Sequence, residues 1–334
     1  MGEKNQMNKV YFFKDSEKLA DALKKMNIDH FSDKEVLVKI HMGELKNKYF
    51  PRPDFVKQVI SELQNINAHP FLYDTTVLYN SLRKQVSGYE KVAKIHGFSQ
   101  KKIGCPVKID DSGIEVTIED HIFEVGTMMH NTEYVFAISH VKGHVASGMG
   151  GTIKNFGMGG VTRNSKKMMH HGARPQLQSD SCTYCGYCAK VCPFHAITVK
   201  EKKWKWNKRS CFGCGVCVEN CPSKALEYQI GNFQYLLACA AKACLKGKQA
   251  IYLNDVNRIS KSCDCDPFAD PIICPDIGYL VSFDPVAVEK ASLDLIDSVK
   301  HDVFLNENHI DPFQQVRFGE LIGLGSSTYE LIRI

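Results

Sequence analysis

Two copies of one cysteine pattern constrain this chain more than any other feature of its sequence. The first copy spans residues 182–193 and the second spans residues 211–222. Each copy reads C-x2-C-x2-C-x3-C-P, and the two together hold eight of the 14 cysteines. The pattern predicts that residues 178–229, here called the cysteine module, form a unit distinct from the sequence on either side.

The spacing within each copy has a chemical reason. Three closely spaced cysteines can surround one iron–sulfur cubane, while the proline turn carries the fourth cysteine away to a second cluster. The module resembles the bacterial two-cluster ferredoxin domain. The resemblance implies two [4Fe–4S] clusters, one held by Cys182, Cys185, Cys188 and Cys221, the other by Cys211, Cys214, Cys217 and Cys192. Structural zinc bound by the paired C-x2-C motifs is the alternative.

Composition limits the class of protein and the compartment. Apolar residues make up 44% and charged residues 24%, which excludes a mainly disordered chain, a collagen-like repeat and a small disulfide scaffold. Residues 1–14 lack the apolar core of a secretory signal, and the apolar stretch 235–241 is far shorter than the roughly 20 residues of a membrane span. We therefore expect a cytoplasmic protein with no membrane segment, in which cysteines bind metal or do redox chemistry instead of forming disulfides.

The sequence on both sides of the module alternates between strand-like and helix-like segments. Short apolar runs predict strands at 36–40, 71–73, 107–109, 114–118, 134–138, 250–253 and 279–283. Helical spacing of apolar residues predicts helices near 53–66, 82–92, 233–244 and 284–299. The alternation predicts an α/β main domain with a mixed, mostly parallel sheet, into which a small α+β ferredoxin-like module is inserted. Two independent α/β domains are the alternative.

Polar residues follow the ends of several predicted strands. They lie in segments 41–44, 74–75 and 139–144, at 254–255, and at Asp284. Because ligands gather beyond the carboxyl ends of the strands of open α/β sheets, these groups predict a pocket. Asp284 precedes Pro285, so it is also a candidate helix cap.

A glycine-rich segment follows, at residues 148–160. Its backbone N–H groups, together with Lys154, could hold an anion. The segment matches neither G-x-x-x-x-G-K-[ST] nor G-x-G-x-x-G, so it does not indicate a nucleotide site. A tight structural loop is the alternative.

Seven stretches of the chain resemble the family called domain of unknown function 362. They are 39–44, 74–75, 140–144, 150–155, 263–265, 275–278 and 284–287. The resemblance runs from about residue 8 to the C-terminus and implies that residues 8–177 and 230–334 form one α/β domain interrupted by the module at 178–229. It implies no substrate, since the activity of the family is not settled.

Between the two cysteine copies lies a basic segment, residues 200–209, that contains both tryptophans of the chain. Its alternation predicts a hairpin joining the two halves of the module. Three roles are open: a docking patch for an acidic redox partner such as a ferredoxin or flavodoxin, a solvated hairpin with packed aromatics, and, least favoured, nucleic-acid binding.

Six cysteines lie outside the repeated pattern. Cys263 and Cys265 could bind a metal with His140 or His144, form a redox pair, or be buried. The other four match no pattern, although apolar helical spacing favours packing for two of them; they are Cys105, Cys239, Cys244 and Cys274.

The sequence therefore predicts an iron–sulfur electron-transfer protein, with a redox enzyme acting on a small anionic substrate as the alternative. Five side chains are candidates for catalysis in the pocket: His140, Lys142, His144, Lys154 and Asp74. Lysine and backbone donors suit an anionic ligand, and histidines suit metal binding or proton transfer.

Overall fold

The computed structural model describes residues 7–334. Residues 1–6 lie outside the described residues. They belong to segment 1–14, on which the expectation of a cytoplasmic protein partly depends. The strands are β1 (Asn8–Phe13), β2 (Glu35–Ile40), β3 (His69–Thr75), β4 (Val107–Asp110), β5 (Gly113–Ile118), β6 (His121–Gly126), β7 (Tyr134–His140), β8 (Lys142–His144), β9 (Gly148–Gly150), β10 (Pro175–Leu177), β11 (Ile197–Lys200), β12 (Lys203–Trp206), β13 (Leu226–Tyr228), β14 (Gln249–Val256), β15 (Gly278–Ser282) and β16 (Tyr329–Arg333).

The α-helices separate many of these strands along the chain. They are α1 (Leu19–Met26), α2 (Pro53–Asn65), α3 (Val86–Ile95), α4 (Gln100–Ile103), α5 (Thr127–Asn131), α6 (Thr152–Gly159), α7 (Arg163–Gly172), α8 (Tyr187–Lys190), α9 (Val216–Glu219), α10 (Phe233–Leu245), α11 (Pro285–Val299), α12 (Val303–Asn308) and α13 (Gln314–Leu321). Within residues 7–334, none of these helices combines the length and the apolar character needed to cross a membrane.

One eight-stranded sheet organises the chain, in the order β16-β1-β15-β14-β7-β2-β3-β4. Neighbouring strands run parallel except at β15, which is antiparallel to both β1 and β14. Strands from before and after the cysteine module belong to this sheet. The predicted mixed, mostly parallel α/β fold is therefore confirmed.

The strands at the centre of the sheet are buried on both faces. Val36, Val38 and Ile40 of β2 contribute to one apolar cluster, while Leu37 contributes to the cluster on the opposite face. Successive side chains of a strand point to opposite faces, so a continuous apolar run such as this one is typical of a parallel strand covered by helices on both sides.

The direction of β15 corrects one prediction about the pocket. Because β15 runs opposite to its neighbours, Asp284 after it lies at the other edge of the sheet from the ends of β2, β3 and β7. Its carboxylate accepts hydrogen bonds from the backbone N–H groups of Val286 and Ala287, each at 2.8 Å. Asp284 is thus the N-cap of α11 and no part of the predicted pocket.

The glycine-rich segment 148–160 forms neither an anion-binding loop nor the tight structural loop that was the alternative. It forms β9 and then α6, a helix that packs closely against α10. A Cβ atom on Gly157 would lie 2.4 Å from the carbonyl oxygen of Leu237. The N-terminus of α6 is bonded inside the protein, since Thr152 N–H donates to Glu289 at 2.7 Å. These features pack and anchor the helix. Of the groups in this segment that were expected to hold an anion, only Lys154 faces the site described below.

The cysteine module is built of short elements that reflect its repeat. Helices α8 and α9 each begin after a glycine with a positive φ angle, Gly186 and Gly215, both at 77°. Strands β11 and β12 pair as the predicted hairpin. Trp204 and Trp206 pack toward Ile197 and the cysteines, while the lysines between and beside them are exposed. The tryptophan rings are therefore used for packing within the module.

Candidate functional site

A cavity of about 130 Å³ lies beyond the carboxyl ends of β2, β3 and β7, and we call it the strand-end pocket. Four of the five predicted candidates line it: Asp74, Lys142, His144 and Lys154. Arg83, Lys166, His41, His170, Cys263 and Cys265 also contribute to its walls. The hairpin of β8 and β9, which follows β7 directly, places Lys142 and His144 at this edge of the sheet.

Asp74 is the centre of a buried charge network at one side of the pocket. Lys39 donates to it at 2.9 Å, Arg83 lies at 3.5 Å, and the Tyr89 hydroxyl also donates to it. Burial alone would raise the pKa of Asp74, but the charges of Lys39 and Arg83 hold it below its usual value. The carboxylate is thus ionised and already balanced, which suits a positioning role for the cations around it.

Lys166 on α7 is a buried amine that the sequence did not single out. It donates to the Thr75 hydroxyl at 2.7 Å and to the carbonyl oxygen of Thr76. Burial lowers the pKa of Lys166 to about 7, because the nearby carboxylate of Asp74 offsets only part of the desolvation cost. An amine with such a pKa can give or take a proton near neutral pH.

Two neutral imidazoles offer N–H groups to the pocket. Nδ1 of His144 accepts from the backbone N–H of Ala146 at 3.2 Å and lies 3.0 Å from the Ser147 hydroxyl. Nδ1 of His41 likewise accepts from a backbone N–H, at 3.2 Å. Burial, followed by nearby cations, lowers the pKa of both rings well below the usual value. Each ring is therefore neutral with its proton on Nε2, which leaves Nε2 as a hydrogen-bond donor.

His140 does not line the pocket, in contrast to the other candidates. Its Nδ1 lies 2.8 Å from Asp264 and its Nε2 lies 2.9 Å from the carbonyl oxygen of Asn257. Both ring nitrogens are therefore engaged by groups of the protein, and neither is free to bind a metal. Lys142 lies 3.2 Å from the same carboxylate. Burial alone would raise the pKa of Asp264, but His140 and Lys142 hold it well below its usual value.

Cys263 and Cys265 flank Asp264 in a turn and both face the pocket. Lys154 Nζ lies 3.5 Å from the sulfur of Cys263, and the backbone N–H of Cys265 points to the same sulfur at 3.5 Å. Within residues 7–334, the one group of three His, Cys, Asp or Glu side chains with ligand atoms within 4.8 Å of one another is Asp297, His301 and Asp302, which are elsewhere. The described residues therefore offer no third protein ligand that could bind one metal ion together with the two thiols.

A second cavity lies inside the cysteine module, and we call it the thiol cavity. It is lined by Cys192 from the first copy of the pattern and by Cys211, Cys214 and Cys217 from the second. The rest of its lining is apolar residues and glycine, without a charged side chain. Burial, with a further effect of the neighbouring thiols, raises the pKa of Cys214 to about 11. Four thiols so arranged could ionise together only around a cation.

Phe212 connects the two cavities, since its side chain lines both. It follows Cys211 directly, and its carbonyl oxygen lies 3.1 Å from Nδ1 of His170. Gly213 is needed at this contact because a Cβ there would lie 2.1 Å from the backbone oxygen of His170. The module thus rests on α7 beside the strand-end pocket. The cysteine spacing gives no indication of this placement. His170, Phe212 and Lys166 were not predicted from the sequence as residues of the site.

The strand-end pocket is chemically suited to an anion. Its walls carry Arg83, Lys142, Lys154 and Lys166, and the carboxylates of Asp74 and Asp264 balance Arg83 and Lys142. The N–H groups of His41 and His144 add two neutral hydrogen-bond donors for an anion. Asn254 and Asp255, also expected near the pocket, bond elsewhere: Asn254 to Thr152 and Ser292, and Asp255 to Arg258.

Comparisons with known proteins place the chain in a family without assigning an activity. A search of curated proteins finds no match. Among solved structures, the lactate racemase apoprotein from Thermoanaerobacterium thermosaccharolyticum is 13% identical with a TM-score of 0.39, over 77% of this chain and 52% of that one. A protein from Thermotoga maritima is 11% identical with a TM-score of 0.44, over 92% of this chain and 59% of that one. The chain therefore spans little more than half the length of each. Residues 36–294 match the family model for a domain of unknown function, DUF362, so the chain belongs to the DUF362 family.

Proposed function

We propose that this chain is an iron–sulfur protein that binds two [4Fe–4S] clusters in the cysteine module and transfers electrons. The observation that carries the proposal is the lining of the thiol cavity, where Cys192 of one copy of the pattern joins three cysteines of the other. This exchange of the fourth ligand is what the two-cluster spacing requires. Thiolates in apolar surroundings suit soft metal centres, and they do not suit magnesium or calcium.

The cysteines of the described residues do not form a compact zinc site. A tetrahedral zinc ion with bonds of about 2.3 Å to sulfur brings its ligands to within about 3.8 Å of one another. No three of the described cysteines have sulfur atoms within 4.8 Å of one another. A wider group of sulfurs is what a four-iron centre needs, because the irons stand between the thiolates.

The second ligand set would be Cys182, Cys185, Cys188 and Cys221. Cys188 is close enough to Cys185 and Cys221 for their charges to affect its pKa, although burial has the largest effect and raises it. Each bound cluster would supply one-electron redox chemistry. The chain's own contribution is to fix the positions of the thiols and, in the thiol cavity, to surround them with apolar residues.

A redox enzyme acting on a small anionic substrate is the second candidate function. It is favoured by Phe212, which lines the strand-end pocket as well as the thiol cavity. A simple electron carrier has no need for buried cations such as Lys142 and Lys166 beside its cluster site, because burying them costs free energy. In this function the pocket would bind the anion through those cations and through the N–H groups of His41 and His144.

A reductive titration under anaerobic conditions tests the proposed function. The purified chain should take up about two electrons, one for each cluster, and return them on reoxidation. Cys192→Ser should remove about half of this capacity, while Cys105→Ser, a buried thiol outside the module, should leave it unchanged. A chain that takes up no electrons reversibly would contradict the proposal.

The hairpin of β11 and β12 is our proposed docking surface for an acidic ferredoxin or flavodoxin. Lys203 and Lys205 are exposed on it, so reversing both charges should slow electron exchange with an acidic flavodoxin, and added salt should have the same effect. Stopped-flow kinetics measures the rate. Reversal of Lys101 and Lys102, an exposed pair on α4, is the matched control. Equal rates for the two double variants would contradict docking at the hairpin.

A further inference from the structure

The turn that carries Cys263 and Cys265 has a chemistry of its own. Cys263 is 5% exposed and Cys265 is partly exposed, and both line the strand-end pocket. The turn is closed by a hydrogen bond from Asp266 N–H to the Cys263 carbonyl oxygen at 2.8 Å. It directs the two thiols to the same cavity and directs the intervening Asp264 to His140 and Lys142. The pair is thus held in place by a buried ionic network.

The surroundings of Cys263 stabilise a thiolate. Its sulfur lies 3.5 Å from Lys154 Nζ and accepts the backbone N–H of Cys265 at 3.5 Å. The thiol of Cys265, followed by the charges of Lys154 and Lys142, lowers the pKa of Cys263 well below its usual value, against the effect of burial. The same contact raises the pKa of Cys265. These contacts favour the anionic form of Cys263 and the neutral form of Cys265.

We propose that Cys263 and Cys265 form a redox-active dithiol that reduces small anionic disulfides in the strand-end pocket. The Cys263 thiolate attacks one sulfur of the disulfide, which forms a mixed disulfide and releases one thiolate of the substrate. Cys265 then gives its proton to water, and its thiolate attacks the Cys263 sulfur, which forms a Cys263–Cys265 disulfide and releases the second thiolate of the substrate. The substrate gains two electrons and the pair loses two.

The pocket explains why the substrate would be an anion. Lys154 lies beside the attacking sulfur, and Arg83, Lys142 and Lys166 line the same pocket, so an incoming carboxylate finds positive charge there. A thiolate is the nucleophile in such exchange, and a resolving thiol nearby completes it. The inference deepens the second candidate function, the redox enzyme, on which it rests for the redox role of the pocket, by naming the side chains that react.

The test uses three disulfides of similar size and different charge. The anaerobically purified chain is mixed at about pH 6, where ordinary thiols are protonated, with dianionic dithiodiglycolate, neutral hydroxyethyl disulfide or cationic cystamine. We expect dithiodiglycolate to react fastest, by roughly tenfold or more over cystamine, and this preference to fall with salt. Two thioglycolates should be released for each Cys263–Cys265 disulfide found by peptide mass spectrometry. Equal rates for the three probes would overturn the anionic specificity.

Variants separate the two thiols. Cys265→Ser should release one thioglycolate and retain the other on Cys263, while Cys263→Ser should abolish the fast reaction. Cys105→Ser is the control and should behave as the unchanged chain, because burial raises the pKa of that thiol to about 11. Two thioglycolates released by Cys265→Ser, with no retained probe, would overturn the resolving role.

A measurement on the unchanged chain tests the inference even if a variant does not fold. Alkylation by iodoacetamide, followed by peptide mass spectrometry, gives the rate at each cysteine of the unchanged chain. Cys263 should react faster than Cys105, Cys239 and Cys244, and equal rates would overturn the inference. Iron measured on the same sample distinguishes the two proposals: a reactive pair without iron refutes the clusters alone, and iron without a reactive pair refutes the dithiol alone.

Discussion

Lys166 illustrates how one buried residue can set the pH response of the site. Its amine lies at the strand-end pocket between the Thr75 hydroxyl and the Thr76 carbonyl oxygen, and burial lowers its pKa to about 7. A lysine in the unfolded chain keeps its proton to a much higher pH. The folded and unfolded states therefore bind different numbers of protons over several pH units, and stability depends on pH in that range.

We predict the sign of this dependence from the two pKa values, about 7 folded and 10.5 unfolded. Between them the unfolded chain holds a proton that the folded chain has lost, so the folded state gains stability as pH rises, by at most about 1.4 kcal/mol per pH unit. The Lys166→Met variant should not show this rise in stability, because it has no amine to titrate at this position. Urea unfolding at about pH 7 and about pH 9 should show the unchanged chain gaining relative to the variant. Parallel pH dependences would contradict the assignment.

Residues of the pocket were predictable where they follow strands directly. Asp74, Lys142 and His144 could be identified because parallel strands bring their carboxyl ends to one edge of the sheet. Lys166 could not be identified, since it lies on a helix whose polar residues are spaced as on any polar helix face. His140 was expected in the pocket but lies behind it, because Asp264, far along the chain, bonds to its ring. Such long-range partners are not visible in local sequence patterns.

Helix α6 shows how glycine serves packing between elements. Gly157 allows α6 to approach α10 so closely that a Cβ would lie 2.4 Å from the Leu237 carbonyl oxygen. The sequence did not predict a helix here, and glycine lowers helix propensity by about 1 kcal/mol relative to alanine. Tertiary contact overrides that preference. The reversed direction of β15 was hidden for a similar reason: an apolar strand has the same pattern in either direction.

Gly157→Ala gives opposite expectations for a packed helix and for a free one. Propensity alone would stabilise the chain, by about 1 kcal/mol, whereas overpacking against α10 should reduce the free energy of unfolding, by about 1–3 kcal/mol. We expect the loss, measured by urea unfolding. Gly231→Ala is the control, because the nearest atom to its added Cβ is 3.7 Å away. A Gly157→Ala variant as stable as the unchanged chain would refute the close contact.

On the scale of the whole molecule, the sheet and the cysteine module meet at one place. Strands from both sides of the module form a single sheet. The module rests on α7 through the contact between Phe212 and His170, which sets the thiol cavity next to the strand-end pocket. Fold class was predictable from alternating strands and helices. This docking was not, because no periodic pattern encodes it.

The central claim, that the module holds two [4Fe–4S] clusters, is tested most directly by iron and acid-labile sulfide analysis of the anaerobically purified chain. Both should amount to about eight per chain, because two complete ligand sets hold four iron and four sulfide each. Cys192→Ser should lower both to about half. About four iron in the unchanged chain, or zinc at one or two ions per chain without sulfide, would contradict the claim.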